Sequence, residues 1–205
     1  GLVEVATGRF YGCAPLLRDF CRELAAAKTD KQLPRVVVVG EIYVRCDPFA
    51  NDFTIRRLEE RGIRCTFAPF SEWLEYADYI NWKTGDANGP AAQMRTWVQN
   101  HVQRRTYNIA AKEMGWGKRT TVKESVAAAS GYISPDLHGE AVLTLGGPLY
   151  EWREGHIDGV VSVGPLECMP NKIDEAQFFH VAEEEGLPSL TLSLNGDPQD
   201  TEVLD

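Results

Sequence analysis

The chain has 205 residues, 43% of them hydrophobic and 25% charged, and its 30 acidic and 21 basic residues give a formal net charge of −9. This composition indicates a globular protein. The acidic excess argues against nucleic acid or an anionic membrane as partner, because neutralising phosphates takes a surplus of Lys and Arg, although it leaves room for local basic patches. No apolar run approaches the ~20 residues that span a membrane, and residues 1–25 lack a secretory signal pattern, so a cytoplasmic protein is expected.

The first part of the chain predicts one β-loop-α-β unit. Apolar residues spaced on one side predict a helix over 15–28, and the valine run 35–39 predicts a buried parallel strand. A helix capped by Asn51 or Asp52 is expected to run to Arg61, followed by a strand over 63–68. The loop from Glu41 to Asn51 should then lie at the carboxyl edge of the sheet, where open α/β sheets bind ligands.

The middle of the chain is predicted to be helical. Helices are expected over 72–82, 91–114 and 122–129, with turn residues over 84–90 and 131–139. We expect the helical segment 71–130 to be an insertion between two β-α-β halves.

The last part of the chain predicts a second unit of the same kind. Residues 140–154 have a helical pattern, which Gly146-Gly147-Pro148 should kink or restart because proline removes a backbone donor. A strand over 160–163, a helix from Asn171 or Lys172 to about 185, and a strand over 190–194 follow. The fold class expected is α/β: a single Rossmann-like three-layer domain over 1–205, with a mostly parallel sheet and the helical insertion.

The two ends of the sequence suggest a piece of a longer polypeptide. The chain begins at Gly1 without Met, and Asp197-Pro198 is typical of the approach to another helix shortly before Asp205. A site shared with the rest of that polypeptide would be incomplete here.

Cysteines are few, odd in number and widely spaced. There are five, with no C-x-x-C pair, in a chain long enough to build its own core, which favours free thiols and leaves metal or cluster ligation as the alternative. Cys21 and Cys65 fall on a predicted apolar helix face and in a predicted strand, so they are expected in the core. Cys13 and Cys46 fall in predicted loops, and their role stays open.

Three predicted loops, 41–51, 164–171 and 195–200, should share one edge of the sheet. In the first, Glu41, Arg45, Asp47 and Asn51 could orient an anionic or amide-bearing ligand. Equally, Asp47 could form a turn with Pro48, and Asn51 could cap a helix.

The second loop places Cys168 just before a helix. A thiolate there gains from the helix dipole, which suits a metal ligand or a reactive thiol, whereas a buried small hydrophobe is the alternative. Asn171 or Lys172 begins the same helix, and both are candidate cofactor-binding residues together with Glu41, Arg45, Asp47 and Asn51.

Several well-defined motifs are absent. No G-x-G-x-x-G follows the first strand, no G-x-x-x-x-G-K-[ST] or G-x-S-x-G is present, and the four histidines do not cluster. A nucleotide-like cofactor and serine hydrolase chemistry are therefore not expected.

Four stretches carry a resemblance to a known family: Gly40-Glu-Ile-Tyr-Val-Arg-Cys-Asp-Pro-Phe-Ala-Asn51 with Leu58-Glu-Glu-Arg-Gly62, Gly139-Glu-Ala-Val-Leu-Thr-Leu-Gly146, Asp158-Gly-Val-Val-Ser-Val-Gly-Pro-Leu-Glu-Cys-Met-Pro-Asn-Lys172 and Pro188-Ser-Leu-Thr-Leu-Ser-Leu194. They resemble the D-component family of 2-hydroxyacyl-CoA dehydratases, which is similar to 2-hydroxyglutaryl-CoA dehydratase and benzoyl-CoA reductase. The likeness is greatest to the dehydratase-like region of large fused CoA-substrate-specific enzyme activase proteins.

This resemblance implies an anaerobic iron-sulfur system. In such systems an ATP-dependent activator raises the energy of electrons that pass through [4Fe-4S] or double-cubane clusters to an acyl-CoA. Cys168 matches the carboxyl-terminal cluster cysteine, and the other ligands would come from a preceding region, from the rest of the parent polypeptide or from a homologous subunit. The loop from Asn195 is shorter than the acidic segment of catalytic subunits, so activity of this chain alone is not expected. The alternative is a cluster-free scaffold or docking domain that presents a dehydratase-like surface to the activator.

Overall fold

The computed structural model describes residues 12–28, 31–85 and 89–197. It is an α/β protein in which four strands form one parallel sheet, and these described residues contain eight helices. In chain order the elements are α1 (Cys13–Ala26), β1 (Arg35–Gly40), α2 (Ile42–Cys46), α3 (Thr54–Glu60), β2 (Arg64–Phe67), α4 (Ser71–Thr84), α5 (Pro90–Met114), α6 (Val122–Ala129), α7 (Ala141–Arg153), β3 (Gly159–Pro165), α8 (Met169–Glu185) and β4 (Ser189–Leu194).

The sheet has the strand order β2-β1-β3-β4, and every neighbouring pair is parallel. The central strands are runs of β-branched residues that are buried on both faces, as parallel sheets require. Val38 of β1 pairs with Phe67 of β2 and with Val161 of β3. The edge strand β2 is largely exposed, which fits its more polar sequence.

Two apolar cores cover the two faces of the sheet. On one face, Val39 packs in a cluster with Leu145 of α7 and Phe178 of α8. On the other face, Val38 packs in a cluster with Val44 of α2 and Leu58 of α3. Helices therefore lie on both faces of the sheet.

The chain divides into two compact units. The sheet unit comprises Gln32–Ile80 and Thr120–Asp205, and the helical unit comprises Gly1–Lys31 and Asn81–Arg119. Within the helical unit α1 packs against α5, and the Arg22 Nε donates to the Glu113 Oε2 at 2.9 Å. Helix α4 begins in the sheet unit and ends in the helical unit.

Most predicted elements are confirmed, with ends shifted by a few residues. The four strands and the helices over 15–28, 72–82, 91–114 and 122–129 are present. Gly115 and Gly186 end α5 and α8 in the left-handed conformation, at φ +68° and +72°. Residues 86–88 of the predicted loop 84–90 lie outside the described residues. No helix among the described residues is both long and apolar enough to cross a membrane.

Three predicted boundaries are wrong. The segment from Glu41 to Asn51 is not all loop, because it contains α2. The next helix begins at Thr54, with Phe53 rather than Asn51 or Asp52 at its N-cap position. Helix α8 begins at Met169, two residues before the predicted start.

The predicted break at Gly146-Gly147-Pro148 is also wrong, because α7 is continuous through these residues. A Cβ on Gly146 would lie 2.0 Å from the backbone oxygen of Ser125 in α6. The glycine therefore permits close packing of α7 on α6 rather than ending a helix.

Candidate functional site

The carboxyl ends of β1 and β3 form the topological switch point of the sheet. From β1 the chain continues to β2 on one side, whereas β3 and β4 lie on the other side. The segment after β1 forms α2 and packs in the cluster on one face, and the segment after β3 leads into α8 on the opposite face. Open α/β sheets bind ligands in the crevice between two such segments. We call this region the switch crevice and define it by residues 40–53, 140, 164–174.

Gly40 brings the two sides of the switch crevice into contact. Its φ is +99°, and a Cβ at this position would lie 2.0 Å from the Val163 backbone oxygen. The next residue, Glu41, donates its backbone N–H to the same oxygen at 2.9 Å. Because only glycine fits this backbone, the close approach of the two sides of the crevice depends on this one residue.

Glu41 and Asp47 act on the backbone of their own segment. The Glu41 carboxylate accepts the Val44 N–H at 2.8 Å and thereby caps α2, while the Asp47 Oδ1 accepts the Ala50 N–H at 2.8 Å. The turn interpretation of Asp47 is thus confirmed, and Glu41 has a capping role that the sequence pattern did not indicate.

Asn51 and Arg45 are buried at the end of α2. The Asn51 Nδ2 donates to the Val44 oxygen at 3.1 Å and to the Arg45 oxygen at 3.4 Å, so its side chain binds the last carbonyls of α2. The prediction that Asn51 caps the following helix is wrong, because Phe53 holds that position. Arg45 is only 5% exposed, and its Nε has no hydrogen-bond partner.

Cys168 lies at the amino-terminal end of the 17-residue helix α8, on the β3 side of the crevice. It is a half-buried free thiol at the N-cap position, and it makes no side-chain capping hydrogen bond. The preceding Glu167 has φ +67°, a left-handed conformation that non-glycine residues rarely adopt. The backbone is thus held in a strained turn directly beside the thiol, as is common at functional sites.

Asn171 and Lys172 have separate environments. Asn171 is buried, and its Oδ1 accepts the Ser162 hydroxyl at 3.0 Å while its Nδ2 has no partner. Its side chain fits against Gly164, where a Cβ would lie 2.7 Å from the Asn171 Cγ. Lys172 is exposed and donates to the Glu175 Oε2 at 2.7 Å and to the Ser193 Oγ at 2.8 Å. Asn171 therefore belongs to the interior of the crevice, and Lys172 to its surface.

Two acidic residues that the sequence reasoning missed complete the switch crevice. Asp174, in the second turn of α8, is 1% exposed, and burial together with the charge of Glu140 raises its pKa to about 9 against a weaker opposing hydrogen bond from Thr144. Burial and then the charge of Glu41 raise the pKa of Glu140 at the start of α7, whereas Arg45 opposes this shift. Asp174 is therefore a neutral acid at pH 7.

The spacing of α8 contained a signal for Asp174. Asn171, Asp174, Phe178 and Val181 are the buried residues of this helix, and their spacing follows one helical face. Two polar residues on an otherwise apolar face mark a functional or specially paired position.

Buried polar atoms without a partner concentrate around the crevice. Of the seven such atoms in the described residues, four lie in the crevice: the Arg45 Nε, the Asn51 Oδ1, the Asn171 Nδ2 and the Asp174 Oδ1. Since a buried polar atom without a partner is costly, such atoms are normally satisfied by water or a ligand. Together with a neutral acid they can bind a polar group and supply a proton to it.

Exposed apolar side chains surround the same edge. Tyr43 and Phe49 follow β1, Leu166 and Met169 follow β3, and all four are more than half exposed. A rim of this kind around a polar centre suits contact with a partner or an acyl chain. The third predicted loop contributes a local turn, in which the Asn195 Oδ1 accepts the Asp197 N–H at 3.0 Å, and its residues 198–200 lie outside the described residues.

The described residues do not contain a complete ligand set for an iron-sulfur cluster. Such clusters are held mainly by several cysteine thiolates. Cys168 offers one half-buried free thiol, but no group of three or more His, Cys, Asp or Glu residues in the described ranges is arranged to hold a metal ion. Further ligands would have to come from elsewhere.

Comparisons of the chain with protein-family models, with curated proteins and with solved structures gave no match.

Proposed function

We propose that this chain is a cytoplasmic, Rossmann-like domain of an anaerobic iron-sulfur system similar to the 2-hydroxyacyl-CoA dehydratases and CoA-enzyme activases. In this proposal Cys168 is one ligand of a [4Fe-4S] or double-cubane cluster, and the rest of a parent polypeptide or a homologous subunit supplies the others. When bound, the cluster would supply low-potential electron transfer toward an acyl-CoA, with electrons received from an ATP-dependent activator. The observation that supports this proposal is the half-buried free thiol at the switch crevice.

The residues around Cys168 have separate roles in this proposal. The dipole of α8 favours negative charge at its amino-terminal end, which suits a thiolate ligand. Asp174 holds a proton at the crevice because burial, and then the charge of Glu140, favours its neutral form. Loss of a hydroxyl group as water takes up one proton, and a neutral carboxyl beside the crevice is a source for it.

Anaerobic reconstitution with iron and sulfide tests the proposal when the chain is extended toward its amino terminus by the preceding part of the parent polypeptide, which would supply the other ligands. We expect the broad visible absorption of an iron-sulfur species, with its loss in Cys168→Ala. Cys65→Ala is the matched control, because burial and the nearby charge of Glu59 raise the pKa of the Cys65 thiol to about 11 and keep it protonated. Absence of bound iron in the wild type, or equal iron in Cys168→Ala, contradicts the proposal.

A second candidate is a cluster-free docking domain that presents a dehydratase-like surface to the activator. The apolar rim of the crevice favours it, since Phe49 is 84% and Met169 is 72% exposed. In this case Phe49→Ser and Met169→Ser each weaken binding of the activator about tenfold, as expected for exposed apolar anchors. The chain would then bind no iron, so the reconstitution experiment separates the two candidates.

A further inference from the structure

The helical unit contains a basic groove between α1 and α5, at residues with no part in the proposed function. The groove has a volume of about 440 Å³. Small-molecule sites typically occupy about 300–1,000 Å³. Its basic lining consists of Arg18 from α1 and of Arg104, Arg105 and Lys112 from α5.

The charge of this groove contrasts with that of the whole chain. Helix α5 has four basic residues and one acidic residue, whereas the chain has a net charge of −9. The one acidic residue in the groove lining is Glu113. Arg22 of α1 binds its two carboxylate oxygens at 2.9 and 3.4 Å, so this carboxylate is already matched by a cation outside the lining. A cleft lined by one sign of charge concentrates counter-ions of the other sign.

The spacing of the basic residues favours an extended ligand. Arg104, Asn108 and Lys112 recur every four residues and line the groove on one face of α5. Eight residues of helix place Arg104 and Lys112 about 12 Å apart along the axis, which is longer than one phosphate group. Guanidinium groups match the geometry of phosphate oxygens through paired hydrogen bonds, so a chain of phosphates suits the lining better than a carboxylate does.

One end of the groove carries an aromatic pair. His101 lines the groove, and its ring stacks on Trp97 with centroids 5.4 Å apart and an angle of 22° between the ring planes. The pair offers a flat surface beside the cations. It also provides a fluorescent indole that reports on binding.

We infer that the α1–α5 groove is a binding site for an extended anion that carries several linked phosphate groups. The cations of α5 bind the phosphate chain along the helix, and Arg18 binds it from the side of α1. This site uses residues of the helical unit alone, so the inference does not depend on the proposed iron-sulfur function.

Titration calorimetry of the chain with inorganic tripolyphosphate at low ionic strength tests the inference, with Trp fluorescence as a second readout. We expect tripolyphosphate to bind at least tenfold more tightly than orthophosphate, and its affinity to fall as salt is added. Arg104→Gln and Lys112→Gln should each weaken binding about tenfold through loss of a charged hydrogen bond. Arg95→Gln, an equal loss of charge on the same helix but outside the lining, should change the affinity less than about twofold.

Three results would overturn the inference: no saturable binding of tripolyphosphate, equal affinity for orthophosphate, or equal weakening by Arg95→Gln. Titration with metal-free ATP distinguishes a nucleotide ligand from a phosphate chain alone. Tighter binding of ATP than of tripolyphosphate assigns a nucleoside to the His101 end of the groove, and equal binding assigns the phosphate chain alone. Each of these two results supports the site. The altered side chains are exposed, and circular dichroism verifies that each variant is folded.

Discussion

The neutral state of Asp174 makes the stability of the protein depend on pH in a defined direction. The pKa of its carboxyl is about 9 in the folded protein. In the unfolded chain an Asp has a pKa of about 3.9. Between these values the unfolded chain loses a proton that the folded protein keeps. The free energy of unfolding should therefore fall by about 1.4 kcal/mol for each pH unit as the pH rises through this window.

Asp174→Asn removes this dependence, because the amide has a similar volume and does not ionise. At pH 7 the variant should be more stable than the wild type by up to about 4 kcal/mol, which is the stability that the wild type has lost since about pH 4. A weaker hydrogen bond with Thr144 would reduce this gain. The raised pKa of Glu140 lowers the free energy of unfolding as the pH rises in both proteins. The difference between the two slopes therefore reports on Asp174.

Urea unfolding monitored by circular dichroism between pH 5 and pH 8 measures the effect. The wild type should show the negative slope, and Asp174→Asn should show a slope that is smaller by about 1.4 kcal/mol per pH unit. Glu183→Gln, at an exposed carboxylate on the same helix, should retain the wild-type slope. Equal slopes in the wild type and Asp174→Asn would show that the buried carboxyl is ionised in the folded protein and would refute the reasoning.

Three further effects follow from local geometry. Gly40→Ala should cost about 3 kcal/mol or more in urea unfolding, because its Cβ would overlap a β3 oxygen, whereas Gly115→Ala, at a left-handed position in open space, should cost about 1 kcal/mol. Thr121→Ala removes the capping box of α6 and should cost about 1 kcal/mol in the same assay. A thiol reagent at pH 8 should modify the exposed Cys46 before Cys65, whose raised pKa keeps its thiol protonated; the reverse order by mass spectrometry would contradict this assignment.

Elements with strong local signals could be predicted from the sequence. The valine runs of β1 and β3 are typical of buried strands, and the glycines after α5 and α8 are typical of helix ends. Helix α2 was missed because a helix of five residues has too few turns to show periodicity, and it depends on the carboxylate cap from Glu41. The continuity of α7 depends on contact of Gly146 with α6, and such a contact is absent from any local pattern.

The position of the candidate site could be predicted more readily than the chemical properties of its residues. The expectation of a parallel sheet placed Arg45, Asn51 and Cys168 in segments at one edge, and the structure shows them in segments that follow β1 and β3. The raised pKa values of Asp174 and Glu140 arise first from burial, and then from the charge of Glu140 on Asp174 and of Glu41 on Glu140. These causes exist only after tertiary packing.

The pairing of β1 with β3 has a consequence for how the switch crevice forms. Val36 pairs with Gly159, so this central pair closes a loop that contains β2 and the helices α2 to α7, whereas β3 and β4 are separated by α8 alone. Because closing a long loop costs more entropy than closing a short one, we expect β1 and β3 to join late in folding. The crevice then exists only in the completed sheet. Any molecule bound there binds the folded state selectively, and it raises the Tm of the entire sheet unit as its concentration increases.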